Sequence, residues 1–149
     1  MIDSFNDISK WVASEIVTGS IFTINFDNNK NDNMGIPNNK NKSIGANERK
    51  RSATLKYFIT VGQHCEKFQN YNALMAIVAG INGSAVHRLK KTWDVLSPKK
   101  KTAFEELQNV MSQQNNYATL RNVLHSVEPP CIPYLGMYLT DLTFLEVLI

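Results

Sequence analysis

The residues able to do covalent chemistry in this chain are few and poorly placed for it. Cys131 with His125 is a nucleophile-and-base pairing that composition allows, but the two straddle a helix end and the prolines at 129 and 130, and no third group stands by to orient the imidazole. Cys65 falls on an apolar stripe, where a lone thiol behaves as a small hydrophobe. The two cysteines lie far apart with no second ligand near either, so neither a disulfide framework nor a zinc site is indicated. His87, next to Arg88, reads as a surface residue rather than a ligand.

Charge offers a different kind of chemistry. Between Arg88 and Lys101 there are six cations against one anion, Asp94, while the rest of the chain holds ten cations against twelve anions. The net charge of +3 therefore conceals one local basic surface. Such a surface can meet nucleic acid or an anionic membrane, but a charge run is more often a solvated face. A nucleic-acid reading lacks interleaved aromatics for base stacking: only Trp93 lies in the run, and its spacing points it inward.

The elements that must carry these residues read as helices. A chain of 149 residues is one domain, long enough to bury roughly two-thirds of its unfolded surface. No run of about 18 apolar residues is present to span a membrane, and residues 1–10 lack the layout of a signal peptide. Ile2, Phe5, Ile8, Trp11 (or Val12) and Ile16 mark a first stripe close to helical period. GSIFTINF after it is a short strand or a frayed helix end. From Asp27 to Asn47 the texture changes to DNNKNDNMGIPNNKNKSIGAN, which lacks the apolar area to offset ordering entropy; residues 27–48 are assigned as a disordered, Asn-rich insertion.

Leu55, Phe58, Ile59, Gly62, Cys65 and Phe68 place a long helix over 49–69, with Gly62 letting another helix approach. The centre of the chain is residues 70–93, NYNALMAIVAGINGSAVHRLKKTW. Leu74, Met75, Ile77, Val78 and Ile81 recur at helical spacing, Asn70 or Asn72 caps the start, and Gly80, Asn82 and Gly83 supply the breaker. A second short helix is expected from Val86 to about Trp93. Ser97 and Pro98 then open a helix buried through Phe104, Leu107, Val110 and Met111. Tyr117, Leu120, Leu124 and Val127 mark the next, stopped by the double proline. Leu135, Tyr138, Leu139, Leu142 and Leu145 mark the last, with Tyr138 able to bury its ring. Trp11 and Trp93 are expected to be largely buried.

These stretches resemble the catalytic domain of the Ras-family guanine-nucleotide exchange factors. The resemblance is carried by Asn70 to Asn82 with Val86, Arg88, Leu89, Thr92 and Trp93 after them, and by PPCIPYLGMYLTDLTFLE at 129–146. Phe5, Asn6, Ser9, Trp11, Val12, Glu15 and Ile16 match a third block, Arg51 to Cys65 a fourth, and Asn116, Tyr117, Leu120, Arg121 and Leu124 a fifth.

The resemblance implies an all-α fold, an irregular multi-helix bundle, and a partner: a Ras-like small GTPase of the Ras, Rap or Ral class. It implies that the positions of Met75 and Tyr138, with Ile2 contributing, form an apolar pocket for a switch aromatic, and that Asn82 hydrogen-bonds the GTPase. It implies no covalent chemistry, no catalytic residue, no metal and no cofactor. The expected location is cytoplasmic, extending to the inner face of the plasma membrane through peripheral recruitment by the GTPase, with no nucleic-acid partner.

In the family a helical hairpin follows the P-P-C block and wedges the GTPase open, whereas this chain reads Val147, Leu148, Ile149 after Glu146. With further helices also preceding the first block in the family, residues 1–149 are read as a partial exchange domain, incomplete at both ends, expected to expose apolar surface and barely to accelerate nucleotide release from the GTPase. The competing reading is a non-catalytic GTPase-binding or scaffold protein of the same fold.

Overall fold

The computed structural model describes residues 2–22 and 45–147, with the side chains of all of these except Ile2 and Phe22. Among the described residues the helices are α1 (Ile2–Thr18), α2 (Ala46–Lys67), α3 (Tyr71–Asn82), α4 (Ser84–His87), α5 (Lys90–Val95), α6 (Pro98–Val110), α7 (Ala118–Ser126) and α8 (Leu135–Val147), with a 3-10 turn at Ser20–Phe22. The one β-type pairing among the described residues is an isolated parallel bridge between Asn70 and Ile132. The all-α expectation holds. The Asn-rich insertion lies outside the described residues up to position 44, and the GSIFTINF segment is described only as far as Phe22, where it forms the 3-10 turn.

Helix α3 is the hub, packed against both α1 and α2. Leu74, Met75, Ile77, Val78 and Ile81 are all buried, as their spacing requires. Asn70 is the cap: its Oδ1 accepts from the Ala73 N–H at 3.0 Å. Gly80 proves to be more than a breaker. A Cβ there would stand 2.7 Å from the Ser9 carbonyl oxygen and 2.8 Å from Val12 Cβ, so its missing side chain is what lets α1 lie against α3. Gly62 opens α2 to Leu107 in the same way, with the Leu107 Cδ1 2.9 Å from the missing Cβ.

The seam of α1 differs from expectation. Val12 and Ile16 are fully buried and Phe5 partly so, whereas Ile8 is exposed and Trp11 is 51% exposed, resting edge-on against Phe58 with ring centroids 5.3 Å apart. Of the two residues offered at this turn, Val12 takes the core and Trp11 stays outside. Trp93 is partly buried, tilted on Phe104 and donating from Nε1 to the Val86 carbonyl at 3.1 Å. That bond ties together two pieces of the helix expected over 86–93, which breaks at Arg88 and Leu89 into α4 and α5. Phe68, placed on the buried stripe by its spacing, caps α2 and is 73% exposed, because the helix ends before it can turn inward. Ser97 occupies the cap position of α6 without a side-chain capping bond. Cys65 is partly buried and burial pushes its thiol upward, which suits packing and disfavours the reactive thiolate.

Candidate functional site

The exposed end of α3 is built by its neighbours. Gly83 closes the helix by donating to the Gly80 carbonyl at 3.2 Å, which leaves the Asn82 side chain at the surface. Gln108, from α6, donates through Nε2 to Asn82 Oδ1 at 2.5 Å. The acceptor of the Asn82 amide is thus engaged, and Nδ2 is the half left to offer a donor outward. Beside this pair runs a groove of about 330 Å³, floored by Ile81, Trp93 and Phe104 and edged by Lys90, Asp94 and Gln108.

Met75 stands two helical turns before Asn82, so the two share a face of α3. Depth separates them: Met75 is only 6% exposed, within the core. It can floor a binding surface but not rim one. Tyr138 stands on α8 and is 43% exposed; its neighbour Met137 enters the same core cluster as Met75. The structure therefore connects Tyr138's helix to Met75 through the core, whereas the groove beside Asn82 is lined by neither Met75 nor Tyr138. Ile2 is the first residue of α1, and its side chain lies outside the described ones.

Helix α8 is placed by its approach. After the prolines the backbone of Ile132 donates to the Gln69 carbonyl at 2.9 Å and accepts from the Tyr71 N–H at 2.8 Å, which anchors the segment against the start of α3. Tyr134 then packs its ring between Phe5 of α1 and Tyr117, with centroids 5.8 and 5.7 Å away. Farther along, Asp141 accepts from Arg121 Nη2 at both carboxylate oxygens, 2.8 Å each, and from Asn116 Nδ2 at 3.1 Å. The Arg121 and Asn116 hydrogen bonds hold the Asp141 carboxyl below the usual carboxylate range. Arg121 Nε also donates to the Asn116 carbonyl at 2.7 Å, so one guanidinium fastens both the turn before α7 and the side of α8.

The residues whose spacing marks α8 do form one helix, but the Tyr138 ring is not buried: Met137 is the one buried residue of α8, and Tyr138, Leu139, Leu142, Phe144, Leu145 and Val147 are exposed. Helical period assigns a face; it does not say whether that face has a neighbour.

Two residues of this region escaped sequence reasoning. Gln108 follows the buried Phe104 by one helical turn, and a polar group so close to a core position is the available signal. Asp141 is a carboxylate inside an otherwise apolar run, a position that calls for a cationic partner, yet spacing alone does not select Arg121.

Comparison with known proteins agrees with this architecture. The family described as RasGEF domain matches residues 1–148. The chain is 38% identical over 147 residues to Ras guanine nucleotide exchange factor E of Dictyostelium discoideum, covering 97% of this chain and 12% of that protein. It is 38% identical over 142 residues to Ras-specific guanine nucleotide-releasing factor 1 of Rattus norvegicus, covering 95% of this chain and 9% of that protein. A third relative, the Ras-specific guanine nucleotide-releasing factor RalGPS2 of Macaca fascicularis, is 36% identical over 143 residues, covering 95% of this chain and 21% of that protein. This chain thus spans only a small part of the length of the relatives it matches. With a helical bundle ordered around α3 and a family match over residues 1–148, the chain belongs to the RasGEF domain family.

Proposed function

We propose that this chain binds a Ras-like small GTPase of the Ras, Rap or Ral class and favours its nucleotide-free form, so promoting GDP release. The observation that carries the reading is the match to the RasGEF family over residues 1–148, in a chain whose α3 ends in an outward-facing Asn82. Asn82 hydrogen-bonds the GTPase, Tyr138 offers its half-exposed ring to an apolar group of the switch region, Met75 floors that contact, and Ile2 adds to it. The surface works by binding alone, without covalent chemistry, at the cytoplasmic side of a membrane to which the GTPase recruits it.

The energetics fix what such a surface must do. A picomolar nucleotide complex is worth about −16 kcal/mol, so unaided release is slow. By reciprocity, a factor loosens nucleotide by the same factor by which nucleotide loosens it. Contacts that hold the GTPase equally well in both states change nothing.

A second reading is favoured by the open apolar face of α8. That helix is fastened on one side through Met137 and the Arg121–Asp141 pair, and its open side is suited to holding a GTPase without prising it open. Release of fluorescent GDP from a panel of Ras, Rap and Ral proteins separates the two. Acceleration above the spontaneous rate, cut about ten- to a hundredfold by Asn82→Ala, supports exchange; this corresponds to about 1–3 kcal/mol for an unpaired buried partner group. Binding without acceleration supports the second reading. No binding to any of the three overturns both.

A further inference from the structure

Helix α2 carries a surface that the GTPase reading does not use. Arg49, Ala53, Lys56, Thr60, His64 and Lys67 follow one another at steps of three and four, which puts them on one side of the helix over about 27 Å. Arg49, Lys56, His64 and Lys67 are exposed. The helix has only two carboxylates, and both are turned elsewhere. Glu48 folds back over Gly45 at the helix start. Glu66 is partly buried, and burial, then Glu106, raises its carboxyl.

Helix α6 packs alongside and extends the stripe. Lys100 Nζ donates to Thr60 Oγ1 and to Gln63 Oε1, each at 2.9 Å, while Lys99 stays exposed. Burial, and after it Lys56 and Lys99, lowers the Lys100 pKa, in keeping with the gathering of cations that the helix geometry gives. Among the described residues the one ion pair is Arg121–Asp141, so none of these cations is neutralised there. Lys99, Lys100 and Lys101 in the first turn of α6 also oppose its helix dipole, with no acidic residue in that turn.

At one edge of the stripe Tyr57, next to Lys56, is about half exposed and rests on Phe58 with ring centroids 5.5 Å apart, and Trp11 of α1, also about half exposed, meets the same Phe58 ring at 5.3 Å. Tryptophan and tyrosine beside lysines are the residues that settle at a bilayer's interface. A nucleic acid would need a series of stacking aromatics along the cations, and the stripe itself has none.

We infer that the α2 stripe, with Lys99 and Lys100 of α6 and the Trp11–Tyr57 edge, is a docking face for an anionic lipid bilayer. It shares no residue with the groove beside Asn82, so it turns the domain toward the membrane without occupying that groove.

The test is sedimentation of the 149-residue chain with vesicles of phosphatidylcholine alone or with about 30 mol per cent phosphatidylserine at low and physiological salt. Binding is expected only to the anionic vesicles and should weaken with salt. Lys56→Ala/Lys67→Ala should lower the partition coefficient about 25-fold, about fivefold per cation. Lys10→Ala/Lys91→Ala, an equal change in net charge at exposed sites off the stripe, should lower it far less. Equal loss in both pairs, no binding to anionic vesicles, or stripe-dependent retardation of an oligonucleotide in place of vesicle binding would overturn the inference. Nucleotide release from a soluble GTPase should be unchanged in Lys56→Ala/Lys67→Ala, so failure of either reading is visible apart from the other.

Discussion

Arg121 grips Asp141 through two 2.8 Å hydrogen bonds from one guanidinium nitrogen, across twenty residues of sequence. This contact joins two motifs that look independent in the sequence: the Asn-Tyr-Arg block at the start of α7 and the apolar run of α8. It makes the position of Tyr138 depend on a residue outside its own helix.

The pair should therefore act as a unit. Arg121→Ala and Asp141→Ala should each lower the melting temperature and speed amide exchange along α8, and the double variant should be no worse than the sum of the singles and close to either alone. Strict additivity would mean that the two side chains act separately.

The same pair sets a pH dependence. The Asp141 carboxyl is held down by Arg121 and then by Asn116. A group whose folded pKa is depressed stabilises the fold above its unfolded value and ceases to as the pH falls through the folded one. The melting-temperature gap between wild type and Asp141→Asn should be constant above about pH 5 and narrow below about pH 4. A gap that widens on acidification would contradict the sign.

Gly80 and Gly62 should respond differently to alanine. At Gly80 the new methyl meets the Ser9 backbone oxygen, which cannot step aside without moving α1. Gly80→Ala should cost about 1–3 kcal/mol. At Gly62 it meets the far end of Leu107, which can rotate away, and the gain of up to about 1 kcal/mol in helix propensity offsets the crowding. Chemical denaturation of the two variants compares them directly.

The sequence made most of the bundle legible because α2, α3 and α6 bury their apolar residues where helical spacing puts them, and because Asn70 caps with its own side chain. The misses have a common cause: they concern what a face meets. Periodicity could not choose between Trp11 and Val12, since that depends on where α2 lies. It read Lys100 as part of a solvated run, whereas Thr60 and Gln63 draw its amine against α2. It read Gly80 as an ending, whereas α1 crosses there. At the candidate site the exposed Asn82 and its helix were readable, while Gln108 and the Arg121–Asp141 clasp are contacts between distant residues, and a single sequence does not encode which distant residue answers which.

The open face of α8 should be detectable in solution. The chain should bind an apolar-surface dye and self-associate, and Leu142→Glu/Leu145→Glu should reduce both with little change in melting temperature, since both residues are more than half exposed. A wild-type chain that stays monomeric and dye-silent would mean that this face is covered.

The central claim is that this domain prefers a GTPase without its nucleotide. The direct measurement is the affinity of the chain for Ras, Rap and Ral proteins in nucleotide-free and GDP-loaded form, by titration calorimetry, for wild type and Asn82→Ala. Binding to at least one nucleotide-free GTPase more than about tenfold tighter than to its GDP form, with that preference reduced by Asn82→Ala, is the expected result. Equal affinity for the two forms, or a preference that Asn82→Ala leaves intact, would contradict it.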